Sequence, residues 1–525
     1  MPTALRNRIA IDTRSLALFR IICGFLIIAD IILRARNFTF FYTDDGVVPQ
    51  ALAQELTVNT AISVYYLTTN STVIAALFVV QALIGLQLLI GYKTRAATVL
   101  SFLFVVSLDH HNPLVLSYAD TLFRLLLFWG IFLPLGERWS VDAVHADRTP
   151  RVSVANIASA LILLQMVFMY FVNGLHKSTS QQWTSGEATP LILGIDEITF
   201  LLGGFVRQFP TLLQYGGLTW YYMMLFSWLL LVLSGRARAL LLSLYVGGHA
   251  TFAVTVRIGA FPYVAMAGLS LFLPTRLWND ASRLLAYANL NGAWLDSVRN
   301  ALIRFAESLP DYRLRDERMR RIRGLTYYTA LYTVVGVILL VTTLVVYHAA
   351  VVADEDASHE ERIDAAMQDS TTISELESLA RSASIQQPSW SVFAPTPRTS
   401  DRYYVFPAKT ADGDVIDVYS DGREMTYERP DYELQEQYST YRERFYMNSV
   451  RRGTGDSRER LAEHICETWE REHGVELTHI NMYHVSETIS METIDSPEQR
   501  ERDIRRFYRH GCGDNEPRNF EPSVE

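Results

Sequence analysis

The chain has 525 residues, 49% of them hydrophobic, and a formal net charge of −9 at pH 7. Its apolar residues are gathered in long runs with few charges, which is typical of membrane spans and not of soluble cores. Residues 1–349 carry 27 Lys and Arg against 19 Asp and Glu, a balance of +8, whereas residues 350–525 carry 20 against 37, a balance of −17. We therefore expect a polytopic membrane region followed by an acidic soluble domain. We expect no nucleic-acid partner, because nucleic-acid binding depends on a basic surface.

The first apolar run, residues 15–33, is predicted to be a membrane span and not a cleavable targeting signal. It is too long for a signal core, and no small-residue cleavage site follows it. A helix needs about 20 apolar residues to cross a bilayer. The candidate spans are nine, with eight or ten as alternatives: 15–33, 72–91, 96–108, 118–135, 154–173, 218–234, 239–256, 259–274 and 327–347.

Residues 191–205 are ambiguous between a re-entrant and an interfacial segment. The predicted fold class is an all-α polytopic membrane bundle of about nine transmembrane helices, followed by a small α+β extracytoplasmic domain. The bilayer is thus the first expected partner of the chain.

The basic loops predict the orientation, because cytoplasmic loops carry an excess of Lys and Arg. If there are nine spans, all the basic loops fall on one side, and residues 275–326 alone hold ten arginines against six acids. We expect a multi-pass cell-membrane protein whose N-terminus is cytoplasmic. The predicted regions are a transmembrane domain (1–275), a basic cytoplasmic segment (276–326), a last span (327–349) and an acidic extracytoplasmic domain (350–525).

Local patterns predict the elements of the acidic domain. They are a helical or loose acidic stretch (354–369), a β-hairpin of residues 402–408 and 414–420, a helix (457–473) and a strand (475–484). Cys466 and Cys512 could form a disulfide if this domain lies outside the cell, and two free thiols are the alternative. The sequence contains no Gly-rich phosphate loop and no C-x-x-C metal spacing, so we expect no metal.

Ionisable residues inside membrane spans usually face a cavity or a partner within the bundle. Arg20 and Asp30 lie in the first candidate span, and Asp120 and Arg124 lie in the fourth. The latter two are spaced i, i+4, so they could pair on one helical face. A structural ion pair and a functional site are both open.

Lys177 is one of only three lysines in the chain, against 44 arginines. A lysine amine can lose its proton in a protein and act as a base, whereas an arginine guanidinium cannot. Lys177 follows the fifth apolar run directly, where a lysine that reaches toward the membrane interface is the alternative. The composition therefore makes Lys177 a candidate base.

His249 lies in the middle of the seventh apolar run, after Gly247 and Gly248. These glycines would allow close approach of another backbone or a flat ligand. A hydrogen-bonded core histidine is the alternative. Arg257, His110 and His111 are predicted to lie in extracytoplasmic turns, where they would form a basic, titratable cluster with Lys177 and His176.

Several segments, in this order, resemble the HTTM domain of the vitamin K-dependent γ-carboxylase family. They are DTRSLALFRIICGFLIIADIILR (12–34), FYTDDGVVP (41–49), LLFWGIFLPLGERWSVD (126–142), YFVNGLHKS…W (170–183) and HATFAVTVRIGAFPYV (249–264). Residues 390–418 are similar to the segment that follows the membrane domain in many prokaryotic members. The resemblance covers residues 12–275 and, less closely, 390–420.

The resemblance implies a quinone-dependent reaction with O2 and CO2 as co-substrates. In the family, a lysine in a G-(V/I)-K-K segment deprotonates a reduced quinone of the vitamin K or menaquinol type. Reaction with O2 then yields a base that removes a γ-proton from a protein glutamate, and the carbanion adds CO2. Here the segment reads GLHK, so Lys177 matches the second lysine and His176 replaces the first. His249 keeps the family's spacing to Ile258-Gly259.

The function predicted from the resemblance is a vitamin K-dependent γ-carboxylase-like enzyme that acts on a secreted or membrane protein. The alternatives are a quinone-binding oxidoreductase without carboxylation and a non-enzymatic membrane binding or transport module. Where the carboxylases carry an Asn-His pair, this chain has Tyr118-Ala119-Asp120. The candidate catalytic residues are Lys177 and His249, and the candidate quinone- or substrate-binding residues are His176, Arg257, Asp120, Arg124 and Trp183.

Overall fold

A computed structural model describes most of the chain. The described residues are 3–57, 61–146, 148–287, 293–311, 317–347, 375, 378, 380–453 and 455–520. The acidic stretch 354–369 and the last two residues of the predicted span 327–349 lie outside them.

The first 347 residues are mainly helical. The helices are α1 (Thr3–Ile9), α2 (Thr13–Ala35), α3 (Phe38–Tyr42), α4 (Gln50–Leu56), α5 (Ser71–Ile90), α6 (Thr94–His111), α7 (Tyr118–Gly130), α8 (Val141–Ala146), α9 (Ile157–Ser178), α10 (Gln181–Ser185), α11 (Ala188–Leu193), α12 (Gly203–Arg207), α13 (Pro210–Leu225), α14 (Leu229–Val232), α15 (Gly235–Thr255), α16 (Phe261–Leu269), α17 (Thr275–Tyr287), α18 (Ala293–Ser308) and α19 (Glu317–Tyr347). Two short strands, β1 (Ile11–Asp12) and β2 (Ser153–Val154), pair antiparallel.

Each of the nine apolar runs overlaps one or more of these helices. Four helices of the described chain, α2, α5, α9 and α15, are long and apolar enough to cross a bilayer. The run 218–234 is divided between α13 and α14, while α6 extends beyond the short third run at both ends. The chain is thus a helical membrane protein in its first part.

Helix α9 is the element that carries Lys177, and it begins at a local capping signal. The Asn156 side chain accepts a hydrogen bond from the Ser159 backbone N–H (2.8 Å), and the Ser159 hydroxyl oxygen accepts one from the Asn156 backbone N–H (2.9 Å). This reciprocal cap satisfies two backbone donors that would otherwise lack partners. The helix then continues without a break to Lys177 in its last turn.

Residues 191–205 form neither a span nor a continuous re-entrant helix. The segment folds as the end of α11, a connecting loop and the start of α12, and Thr199 in the loop bridges to Val256. Loop residues Asp196 and Glu197 donate their backbone N–H groups to the Asp401 carboxylate, at 3.0 and 2.9 Å. The loop is therefore covered by the C-terminal domain.

The C-terminal domain is built on a six-stranded sheet. Its strands are β3 (Ser400–Val405), β4 (Pro407–Thr410), β5 (Val415–Asp417), β6 (Arg423–Glu424), β7 (Leu477–Thr488) and β8 (Arg502–Gly511), and its helices are α20 (Tyr441–Arg452) and α21 (Gly455–His473). Strands β3, β4 and β8 all pair antiparallel with the long β7. A sheet-containing domain thus follows the helical region.

The predicted hairpin of residues 402–408 and 414–420 is wrong in its first strand. That stretch is divided into β3 and β4, and only β4 pairs with β5 across a turn in which Gly413 has a φ of +98°. Strand β3 pairs with β7 instead, about 80 residues later in the chain. Helix α21 starts two residues before the predicted helix 457–473 and ends with it.

A disulfide joins Cys466 of α21 to Cys512, directly after β8, with a Cα–Cα distance of 5.9 Å. Cys23, in α2, is a buried free thiol. The disulfide fixes the helix against the far edge of the sheet.

The predicted pair of Asp120 with Arg124 is wrong. Asp120 lies 3.0 Å from Arg442 of α20 and 3.4 Å from Arg34, whereas Arg124 contacts Asp109 at 2.9 Å. Helical spacing allows the i, i+4 pair, but each group is closer to a partner on another element. These contacts belong to a buried ion-pair network between the membrane domain and α20.

Candidate functional site

A cavity of about 340 Å³ lies among α9, α13 and α15. Most of its wall is apolar, including Leu213, Trp220, Met224, Phe252 and Phe261. Polar side chains reach it mainly from α9 and α15. Residues 389–393, which we call the cap segment, close one end through Trp390, Val392 and Phe393. A mostly apolar cavity with a few placed polar groups is typical of a small-molecule site.

The Lys177 amine lies at the capped end, and the residue is 2% exposed. Its Nζ donates to Asn173 Oδ1 at 2.6 Å and to the Val392 carbonyl, and it lies 4.3 Å from the centroid of the Trp183 ring. Among the residues that the structure describes, no carboxylate forms an ion pair with it. A neutral amine has two N–H groups and one lone pair, so these two acceptors leave the lone pair free to take a proton.

The cap segment is held by hydrogen bonds to its backbone. Asn173 Nδ2 donates to the carbonyls of Trp390 and Val392, and Trp183 Nε1 donates to that of Phe393 at 2.9 Å. Trp390 and Phe393 have φ values of 52° and 51°, a left-handed conformation that L residues rarely adopt. Trp390 is fully buried, so packing and hydrogen bonds together maintain this shape.

His249 and Tyr170 lie in the cavity wall away from the cap segment. The Tyr170 hydroxyl is 2.6 Å from His249 Nε2, and both side chains are buried. Among the described residues, none forms a hydrogen bond with His249 Nδ1, although the His249 side chain lines the cavity. A buried polar atom without a partner is costly, so this nitrogen fits the role of a ligand-binding group.

Two glycines bring α15 and α13 close to their neighbours. A Cβ on Gly248 would come within 2.5 Å of the Trp220 ring, and one on Gly217 within 2.2 Å of the Thr189 hydroxyl. Of the two glycines before His249, Gly248 therefore allows a close approach, that of the Trp220 ring in the cavity wall.

The other predicted site residues lie at the same end of the bundle but not together. His176 Nε2 is 3.0 Å from the Ser389 carbonyl, and Arg257 donates to the Gln435 carbonyl at 2.7 Å. His110 contacts Ser384 and His111 contacts the Tyr42 carbonyl. The predicted cluster of these side chains with Lys177 is wrong, because each one binds a separate partner, several of them in the C-terminal domain.

Of the residues predicted from sequence, Lys177, His249 and Trp183 line the cavity, whereas Asp120, Arg124, His176 and Arg257 do not. Sequence reasoning missed Asn173, Tyr170 and the cap segment. The first two share the face of α9 that carries Lys177, at i−4 and i−7, and this helical spacing is a signal that could have identified them.

The helical part of the chain matches a known family of protein domains. A family model described as the HTTM domain matches residues 8–278. No curated protein matches the chain, and neither does any solved structure.

Proposed function

Because the chain belongs to the HTTM-domain family, whose domain is found in vitamin K-dependent γ-carboxylases, we propose that it is a γ-carboxylase-like membrane enzyme. In this proposal it oxidises a reduced quinone with O2 and carboxylates glutamate residues of a secreted or membrane protein. Lys177 and His249 are its proposed catalytic residues.

The cavity is the observation that carries the proposal. Lys177 and the His249-bound Tyr170 are seven residues apart on α9, which is about 10 Å along a helix axis. A flat ring with an oxygen at each end could therefore meet a polar group at both ends of an otherwise apolar space. The unpartnered Nδ1 of His249 supports a ligand oxygen at that end.

The proposed reaction assigns a role to each side chain. Lys177 Nζ accepts the proton of the quinol hydroxyl, and Asn173 together with the Val392 carbonyl orients its lone pair. His249 Nδ1 holds the second ring oxygen, while Tyr170 fixes the imidazole through Nε2. The cap segment excludes water from the amine. When bound, the reduced quinone would supply the electrons for O2 and the strong base that the family's reaction requires.

An oxidoreductase that binds quinone without carboxylating glutamate is the second candidate. The titratable groups among the described lining residues are Lys177, His249 and Tyr170. In the proposed reaction, all three are assigned to binding or deprotonating the quinol. No further charged group of the described chain lines the cavity to receive a substrate carboxylate. This observation favours quinone binding more directly than carboxylation.

Mass spectrometry of cells with and without the gene tests the proposal. We expect quinone to co-purify with the protein, and we expect extracellular or membrane proteins to carry glutamates heavier by one CO2, about 44 Da. Quinone without heavier glutamates would favour the oxidoreductase. Absence of both would contradict the enzyme and favour a binding or transport module.

We also propose nine spans with a cytoplasmic N-terminus and residues 350–525 outside. Helices α2, α6, α9 and α15 end at the side of the bundle that contacts the C-terminal domain. The contacts are made by Asp30, His110, Lys177 and, directly after α15, Arg257. These helices contain the first, third, fifth and seventh candidate spans, and all of them end on the side of the C-terminal domain. This alternation supports an odd number of spans before that domain. The ten arginines of residues 275–326 support the same orientation.

The topology predicts that protease added to intact cells removes the C-terminal domain. An epitope at the C-terminus should disappear from the membrane fraction, while an epitope at the N-terminus should remain on a shortened fragment. Lysed cells provide the control for cleavage at the cytoplasmic loops. Full protection of the C-terminal epitope in intact cells would contradict both the orientation and the outward-facing site.

A further inference from the structure

A cluster of arginines lies between the sheet of the C-terminal domain and α20. Arg402 and Tyr404 are on one face of β3, two residues apart, and His484 of β7 is directly opposite Tyr404 in the antiparallel register. Arg444 and Arg451 are seven residues apart on α20, so they share one helical face. The Tyr404 hydroxyl lies within the electrostatic range of Glu197 and of three arginines, Arg451, Arg402 and Arg398.

This cluster contains more positive charge than its surroundings balance. Arg398 pairs with Glu197, the acid whose charge also acts on Arg402 and Arg444. Within the described part of the chain, Arg402, Arg444 and Arg451 form no salt bridge. Burial, together with the charges of Arg398 and Arg451, lowers the pKa of Arg402 to about 10, so it remains a cation at neutral pH.

Other buried arginines of this protein are arranged differently. Arg442 contacts Asp30 and Asp120, and Arg500 contacts Asp196 and Asp401. Arg20 and Arg238, which are also buried, donate instead to several backbone carbonyls. Arg444 donates to one carbonyl, that of Arg257, at 3.2 Å. Within the described residues, the side chains of Arg402 and Arg451 have neither a carboxylate nor a carbonyl partner, and unpaired charge is costly to bury.

In the part of the chain that the structure describes, several polar atoms of the cluster also lack partners. They are the buried Nε atoms of Arg398, Arg444 and Arg451, the Tyr404 hydroxyl and His484 Nδ1. Tyr404 is 1% exposed and Arg444 is 7% exposed, so solvent does not satisfy them. Arg402 and Arg451 are only half-buried, so part of each side chain is in contact with solvent.

We propose that this cluster is a binding site for a small oxyanion, a carboxylate or a phosphate. Guanidinium groups bind both through paired N–H donors, and a bound anion would balance the excess charge. The Tyr404 hydroxyl and a neutral His484 provide further donors. Burial and the charges of Arg451 and Arg402 lower the pKa of His484 to about 4, so its ring is neutral at pH 7. The site is separate from the quinone cavity and does not depend on the proposed function.

Thermal unfolding of the purified full chain tests the site. In chloride buffer of constant ionic strength, added acetate or phosphate should raise the Tm of the wild type in a saturable way, by at least about 2 °C. A response to acetate identifies a carboxylate site, and a response to phosphate alone identifies a phosphate site. If neither anion changes the Tm relative to chloride, the proposal is wrong.

The double variant Arg402→Gln/Arg451→Gln should lose this response. In chloride alone, its Tm should equal or exceed that of the wild type, because the substitutions remove buried like charges. A lower Tm would mean that these arginines stabilise the fold through pairs, which overturns the proposal. Tyr404→Phe removes one donor without changing charge, so it should only raise the half-saturating anion concentration.

Arg505→Gln is the matched control. Arg505 is 70% exposed at its side chain, pairs with Asp503 and also acts on His484. If anions stabilise the protein through its general surface charge, this variant should lose as much of the response as the double variant, and the proposal would fail. A wild-type response in Arg505→Gln supports the buried cluster.

Discussion

Lys177→Arg is expected to abolish quinol oxidation in a protein that still folds. The substitution keeps a cation at the end of α9, but a guanidinium stays protonated in proteins and cannot accept the quinol proton. The loss should be about 10²–10⁴-fold in kcat, the range that a positioned general base contributes. Quinol consumption in detergent or nanodiscs measures it, and the Tm of the variant reports whether it is folded.

The chain offers matched controls for this experiment, because its only other lysines are Lys93 and Lys409. Lys93→Arg and Lys409→Arg should both keep wild-type turnover, since neither residue lines the cavity. Lys177→Ala should regain part of the activity when a small amine is added, with a pH dependence that follows the pKa of that amine. A fully active Lys177→Arg protein would mean that Lys177 is only a cation, and the enzyme proposal would lose its base.

The position of Lys177 could be predicted from sequence because every feature that sets it is local. Asn156 and Ser159 start α9, an apolar run continues it, and the lysine occupies its last turn. Local patterns also predicted α21 almost to the residue. These features depend on neighbours within a few positions along the chain, which a sequence displays directly.

The environment of Lys177 could not be predicted in the same way. Its contact with Val392 joins residues 215 positions apart, and that of Asn173 with Trp390 joins residues 217 apart. No local pattern indicates that a segment after the last apolar run returns to the cavity. The wrong Asp120–Arg124 pair has the same cause, because Arg442, 322 positions away from Asp120, provides the cation that α7 alone does not.

Arg442→Met is expected to detach the C-terminal domain from the membrane bundle. Arg442 is buried on α20 and donates to Asp30 and to Asp120, and its second amino group reaches the Val115 carbonyl at 3.2 Å. Its loss leaves the buried carboxylates with too little positive charge nearby. Removing one partner of a buried ion pair lowers the free energy of unfolding by about 3–5 kcal/mol. A lower Tm and faster proteolysis around residues 380–400 should follow.

Two further variants separate this effect from a general loss of charge. Arg505→Met removes an exposed arginine paired with Asp503 and should cost no more than about 1 kcal/mol. Adding Asp120→Asn to Arg442→Met removes one of the unbalanced carboxylates and should restore part of the stability. If the double variant is no more stable than Arg442→Met alone, the buried charge balance is not what holds α20 in place.

Detachment should also change the chemistry of the cavity, because the cap segment belongs to the domain that Arg442 anchors. In the wild type, Lys177 is 2% exposed, so its amine should react slowly with a membrane-impermeant acylating reagent. In Arg442→Met, the labelling rate of Lys177 should increase by about tenfold or more. Lowering the free energy of local opening by about 1.4 kcal/mol already raises the population of the open state by a factor of about ten. The exposed Lys409, with an unchanged rate, is the internal reference, and mass spectrometry of the two peptides measures both. An unchanged Lys177 rate in a protein with a demonstrably released C-terminal domain would show that the cap segment does not control access to the amine.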